Sequence, residues 1–145
     1  MKKPIKNVPG NPVKKKKPRQ KSIKTLKAEA WYLMSRKIRR QYAINETVTC
    51  YTCGKTMHIL DAQAGHGVAG RGNAVLFDTR IIRVQCYGCN IGRGGNYQVF
   101  VPKLIRELGQ ETYEKIERES HLPVKRDRAY YLELIENLSN ELEEK

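Results

Sequence analysis

Apolar residues recur every four positions over 23–44, at Leu26, Ala30, Met34, Ile38 and Tyr42. That spacing keeps side chains on one face of an α-helix, so the stretch is predicted to be helical, with Trp31 and Tyr32 widening the buried face. The pattern changes after residue 46. Residues 48–50 and 81–84 are short β-branched runs that read as strands, and 65–73, rich in Gly and ending in Asn73, reads as a long loop. Helical spacing returns over 103–119, anchored by Leu104, Leu108 and Ile116 with Gly109 as a break, and over 127–144. In the last segment Tyr131, Ile135, Leu138 and Leu142 are spaced 4, 3 and 4, which is heptad-like. A seam of about three turns more often packs on its own domain. A homodimer through these C-terminal helices is the corresponding expectation for assembly. The pattern as a whole predicts an α+β chain.

Charge divides the same sequence differently. The 145 residues hold 28 Lys+Arg and 15 Asp+Glu, a formal net charge of +13. Fifteen of the basic residues and only two acids, Glu29 and Glu46, lie in 1–46, so the remainder is neutral. Residues 1–22 combine four prolines with nine Lys/Arg, among them Lys14, Lys15, Lys16 and Lys17. Proline resists helix and like charges repel, so this segment is read as a disordered basic arm. Its expected partner is a polyanion, nucleic acid above all. Arg36, Lys37, Arg39 and Arg40 extend the basic character along the first helix and are candidate phosphate contacts. No run approaches the ~18 apolar residues of a membrane span, and no apolar segment follows the basic Met1-Lys2-Lys3. The expected location is the cytoplasm, without a membrane partner.

All four cysteines fall in 47–98, as Cys50-x2-Cys53 and Cys86-x2-Cys89. Two such knuckles complete a four-thiolate site of the kind that holds structural zinc. Disulfides are disfavoured without a secretory signal, and a thioredoxin-like motif would need a βαβ context. The 32 residues between the knuckles exceed the ~15–20 of a plain zinc ribbon, so something is inserted. The insert holds His58, Asp61, His66, Asp78 and the Gly70-Arg71-Gly72 loop. Arg71 and Arg93, each flanked by glycine, are candidate DNA clamps. From the residues alone, His66 is open between a base, a loop histidine and a spare zinc ligand in place of one Cys, and Asn90 between a metal ligand and a helix cap.

The Cys-x2-Cys, the intervening Ala64-Gly65-His66 and the closing Gln85-Cys86-x2-Cys89-Asn90 together resemble the phage NinG/Rap recombination endonucleases. These are a branch of the HNH (ββα-metal) nucleases, similar in layout to the phage junction resolvase endonuclease VII. The resemblance extends through Phe77-Asp78 and Gly94-Gly95-Asn96, and covers roughly 25–145. With the charge and spacing already described, it divides the chain into four segments: the arm (1–22), which lies outside the resemblance, a basic amphipathic helix (23–46), a zinc-stapled HNH-like nuclease core (47–98) and a helical C-terminal region (99–145). The implied activity is metal-dependent endonuclease cleavage of branched DNA such as a Holliday junction, D-loop or flap, in a host cell's cytoplasm if phage-encoded. A non-catalytic zinc-ribbon nucleic-acid-binding protein is the alternative.

By position, the resemblance makes His66 the general base and Asn90 a ligand of a catalytic Mg2+, or Mn2+. Cys50, Cys53, Cys86 and Cys89 become the ligands of structural Zn2+, and Asn96 a family position after the knuckle. Many HNH enzymes place a metal-binding Asp immediately before the His; here that residue is Gly65. Asp78, backbone carbonyls and water are the candidates to replace it.

Overall fold

The computed structural model describes residues 19–69 and 72–144. The first helix, α1 (Ile23–Gln41), starts at Ser22, whose side chain accepts from the Thr25 N–H, capping an otherwise unpaired donor. Leu26, Ala30, Met34 and Ile38 are buried along one stripe, as the spacing predicts. Tyr42, the fifth member, is 42% exposed because the helix has already ended there.

Two antiparallel hairpins follow. Strands β1 (Thr47–Thr49) and β2 (Thr56–His58) pair with Val48 opposite Met57, and the first cysteine knuckle forms their turn. Strands β3 (Gln63–His66) and β4 (Ile82–Gln85) pair with Gln63 opposite Gln85 and His66 opposite Ile82. The Tyr51 N–H donates to the Val84 carbonyl at 2.8 Å and ties the first knuckle to β4. Gly65 and His66 therefore end a strand and do not open a loop, because each finds a cross-strand partner far away in sequence.

A 3₁₀ turn (Thr79–Ile81) leads into β4, and a π-helical turn (Gly88–Gly92) carries the second knuckle out of it. Helix α2 (Tyr97–Leu108) begins six residues before the predicted start. Pro102 lies inside it, where its missing N–H costs one bond, and burial of Phe100 and Leu104 secures the turns around it. Gly109 (φ 86°) separates α2 from α3 (Gln110–Ser120). Asp127 caps α4 (Arg128–Glu143) by accepting from the Tyr130 N–H.

The core gathers Met34, Ile38 and Val48 with Ile81, Ile82 and Val84, and closes over them with Phe100, Leu104, Ile116 and Leu138. Leu26 and Ala30 pack with Tyr131. Two positions of the heptad-like seam, Tyr131 and Leu138, are thus buried within the chain and not offered to a second copy. The architecture is mixed: helices around two small antiparallel hairpins, with four cysteines close together. No described helix is long and apolar enough to cross a membrane.

Candidate functional site

The Sγ atoms of Cys50, Cys53, Cys86 and Cys89 all lie within 4.8 Å of one another, and Cys53 and Cys86 are 3.7 Å apart. That is too long for a disulfide, and all four thiols are free. A tetrahedral zinc with ~2.3 Å Zn–S bonds separates its sulfurs by about 3.8 Å, so this donor set fits a structural metal such as zinc. The sulfurs also receive hydrogen bonds: Cys86 from the Cys89 N–H at 3.4 Å, and Cys89 from the Asn96 amide at 3.6 Å. Burial alone would raise the Cys50 thiol. Hydrogen bonds from the Thr52 hydroxyl and from the backbone around Cys86, Cys53 and Thr52 outweigh it and bring the thiol down to about 6. At Cys53, by contrast, a backbone hydrogen bond at Lys55 is outweighed by burial and the neighbouring sulfurs, which push the thiol up, so without a cation the cluster favours ionising one thiol over several.

β4 is buried along its whole length although it contains Arg83 and Gln85. Arg83 pairs with Glu107 of α2 at 2.7 Å, and Glu107 also accepts from the Tyr51 hydroxyl at 2.7 Å. Gln85 is fully buried, and its Nε2 donates to the Gly95 carbonyl at 2.8 Å and to the Thr52 hydroxyl at 3.1 Å. A carbonyl only accepts, so the amide orientation is settled and Oε1 points the other way. That oxygen reaches over Gly65. A Cβ on residue 65 would meet it at 2.0 Å and would meet Asn90 Oδ1 at 3.1 Å. Asn90 in turn donates through Nδ2 to Gln63 Oε1 at 2.8 Å. Only the β3–β4 register, with Gln63 opposite Gln85, brings these two amides to the neighbourhood of Asn90 and Gly65.

His66, the last residue of β3, is 4% exposed. Its ring stacks on Trp31 of α1 with centroids 4.7 Å apart and planes 23° from parallel. Nε2 lies 2.8 Å from the Leu76 carbonyl oxygen. Because that oxygen can only accept, Nε2 carries a hydrogen, so in a neutral ring Nδ1 would be the basic nitrogen. Gly67, next in the chain, packs so tightly that a Cβ would come within 2.4 Å of Leu104 and 2.7 Å of Phe100.

The family model for the bacteriophage lambda NinG protein matches residues 7–144. The chain belongs to the NinG family. No curated protein and no solved structure matches it.

Within this NinG chain the other residues singled out from sequence take varied positions. Asp78 caps the 3₁₀ turn and is engaged by Arg80, which contacts both carboxylate oxygens at 2.6–3.2 Å. Its lone pairs are thereby directed at a guanidinium. Asn96 sits in the left-handed region (φ 50°) before α2 and bonds a cysteine sulfur.

Arg93 is exposed at the end of the π-helical turn. Arg71 and Lys14, Lys15, Lys16 and Lys17 lie outside the described residues. On α1, Arg36 stacks over Tyr32, whereas Lys37 pairs with Glu141, Arg39 donates to the Ile59 carbonyl at 3.1 Å, and Arg40 donates to the Leu142 carbonyl at 2.8 Å. Burial lowers the Arg39 pKa. Much of this basic face is therefore occupied in joining α1 to the segment between β2 and β3 and to α4. Even so, Arg36, Arg39 and Arg40 line one groove of about 540 Å³.

Proposed function

We propose that this NinG-family protein is a phage recombination endonuclease of the HNH type, hydrolysing phosphodiesters in branched DNA. The observation that carries the reading is that the fold sets His66, its Nε2 fixed on the Leu76 carbonyl, next to Gly65, over which the Asn90 oxygen stands. The order of β3, β4 and the Asn90 turn supports a ββα-metal core. The cysteine cluster supports structural zinc as the staple that holds Asn90 on its turn.

In this mechanism His66 takes a proton from water. The water oxygen bonds to phosphorus, the P–O3′ bond breaks, and the leaving 3′ oxygen is protonated by solvent, giving a 5′-phosphate and a 3′-hydroxyl. Trp31 and the Leu76 carbonyl orient the imidazole as a positioned base. Asn90 supplies a neutral oxygen suited to a hard cation such as Mg2+ or Mn2+, which when bound stabilises charge on the phosphate and the leaving oxygen. Arg93, the groove of α1 and the basic arm with Arg71 would supply phosphate contacts.

The test compares wild type with His66→Ala on four-way junction, flap, D-loop and linear duplex DNA, with Mg2+ or EDTA. Loss of a positioned base is expected to slow cleavage about 10²–10⁴-fold, with zinc content and DNA binding retained. Intact substrate in every lane under Mg2+ and Mn2+ overturns the proposal. The deep burial of His66 against Trp31 favours a second reading, a non-catalytic zinc module that binds nucleic acid. That reading expects tight binding with no metal-dependent cleavage.

A further inference from the structure

We infer that Gln85 supplies the catalytic cation with the oxygen ligand for which residue 65, a glycine, has no side chain. The inference rests on the nuclease reading and names the donor set of the same site. A carboxylate oxygen of an aspartate lies about 2.4 Å from its own Cβ. Gln85 Oε1 lies 2.0 Å from where a Cβ on residue 65 would stand, so it fills space that a side chain there would take, at about the distance of an aspartate oxygen from its Cβ. It is fully buried and has no hydrogen-bond partner among the described residues, an arrangement that costs free energy unless something is bound there. Asn90 Oδ1 lies 3.1 Å from the same point.

Both amides are held from behind. Gln85 is held by Gly95 and Thr52, and Asn90 by Gln63, so each turns its oxygen toward Gly65. Thr52 accepts from Gln85, which leaves its own hydroxyl hydrogen to donate to Cys50 Sγ, 3.5 Å away. The zinc knuckle thus aims the ligand. Gly65 follows from the same geometry, because any side chain there would collide with Gln85.

This donor set carries no formal charge. Mg2+ and Mn2+ are commonly held by carboxylates together with substrate phosphates. Here the DNA must bring the charge, so cation and DNA bind cooperatively and reciprocally.

The experiment uses the full-length, zinc-loaded protein with ¹⁵N-labelled side-chain amides, titrated with Mn2+. In wild type, the Gln85 and Asn90 amide signals are expected to broaden before that of exposed Gln98, and at lower Mn2+ when four-way junction DNA is present. Gln85→Ala is expected to weaken Mn2+ binding, followed by electron paramagnetic resonance, by at least the ~10-fold that loss of even an outer-shell partner costs. Gly65→Asp combined with Gln85→Ala moves the oxygen to residue 65 and should restore binding, now without DNA. If the Gln85 signal survives while others broaden, or if folded Gln85→Ala binds Mn2+ like wild type, the inference fails. The wild-type titration decides even if the variant does not fold. Cleavage with Mn2+ held elsewhere would sink this inference alone; Mn2+ at Gln85 in a protein that cuts nothing would sink only the nuclease reading.

Discussion

His66 and Gly65 are neighbours in the chain with different constraints. His66 is defined by what it touches, the Trp31 ring and the Leu76 carbonyl, and neither contact is visible in a local motif. Trp31 reads from the sequence as a residue that widens a buried helix face. Its stacking on His66 depends on how α1 lies across the β3–β4 hairpin. Gly65 reads as a missing ligand, whereas in the fold it is a clearance for the Gln85 amide. Gly67 is a clearance of another kind, against core side chains. Gly67→Ala is expected to destabilise the protein by about 1–3 kcal/mol, the usual range for overpacking, because Leu104 and Phe100 are buried and cannot swing away. Urea denaturation of the metal-loaded protein checks this; an unchanged midpoint would show that α2 yields.

Elements with strong local signals were legible. The stripe on α1, the break at Gly109 and the span of α4 follow from periodicity and cap chemistry. The short strands β2 and β3 were not, because neither is β-branched enough to stand out and both exist through their partners. The link between β4 and α2 was also hidden, since it is built from an ion pair between residues 24 apart in sequence. Although burial works against ionisation of Glu107, hydrogen bonds from Arg83 and Tyr51 and the charges of Arg83 and Lys103 prevail and lower its pKa. A carboxylate depressed by folding adds stability that is complete above the unfolded value of ~4.3. That stability is lost as pH falls through the lower folded value. The stability gap between wild type and Glu107→Gln should therefore be present at pH 7 and close progressively below pH ~4. Thermal melts of the two proteins across that range test it, and a gap that persists at low pH would refute the pairing.

At the scale of the whole molecule, the hairpins are short and are held together at the cysteine cluster. Small domains bury too little surface to be stable without such a staple, and structural zinc contributes folding free energy directly. Chelation is therefore expected to unfold the hairpins and α2, read as loss of amide protection over 47–108. A native spectrum after complete metal removal would contradict it. Net charge belongs to this scale as well. Deleting residues 1–22, which carry nine Lys/Arg, should weaken DNA binding and flatten its salt dependence, by about 0.9 in log–log slope for each phosphate that the arm no longer neutralises. An equal slope would remove the arm from the interface.

The sequence by itself determined the α+β class, the family, the pairing of four thiols around one point and the location of the charge. These depend on residue identity and short spacing. The tertiary structure alone decided which nitrogen of His66 meets the Leu76 carbonyl, what fills the space over Gly65, and that Gln85 and Asn90 both reach it. Those contacts cross between β3, β4, α1 and the knuckle turn, and pairwise geometry between distant segments leaves no periodic trace in the chain.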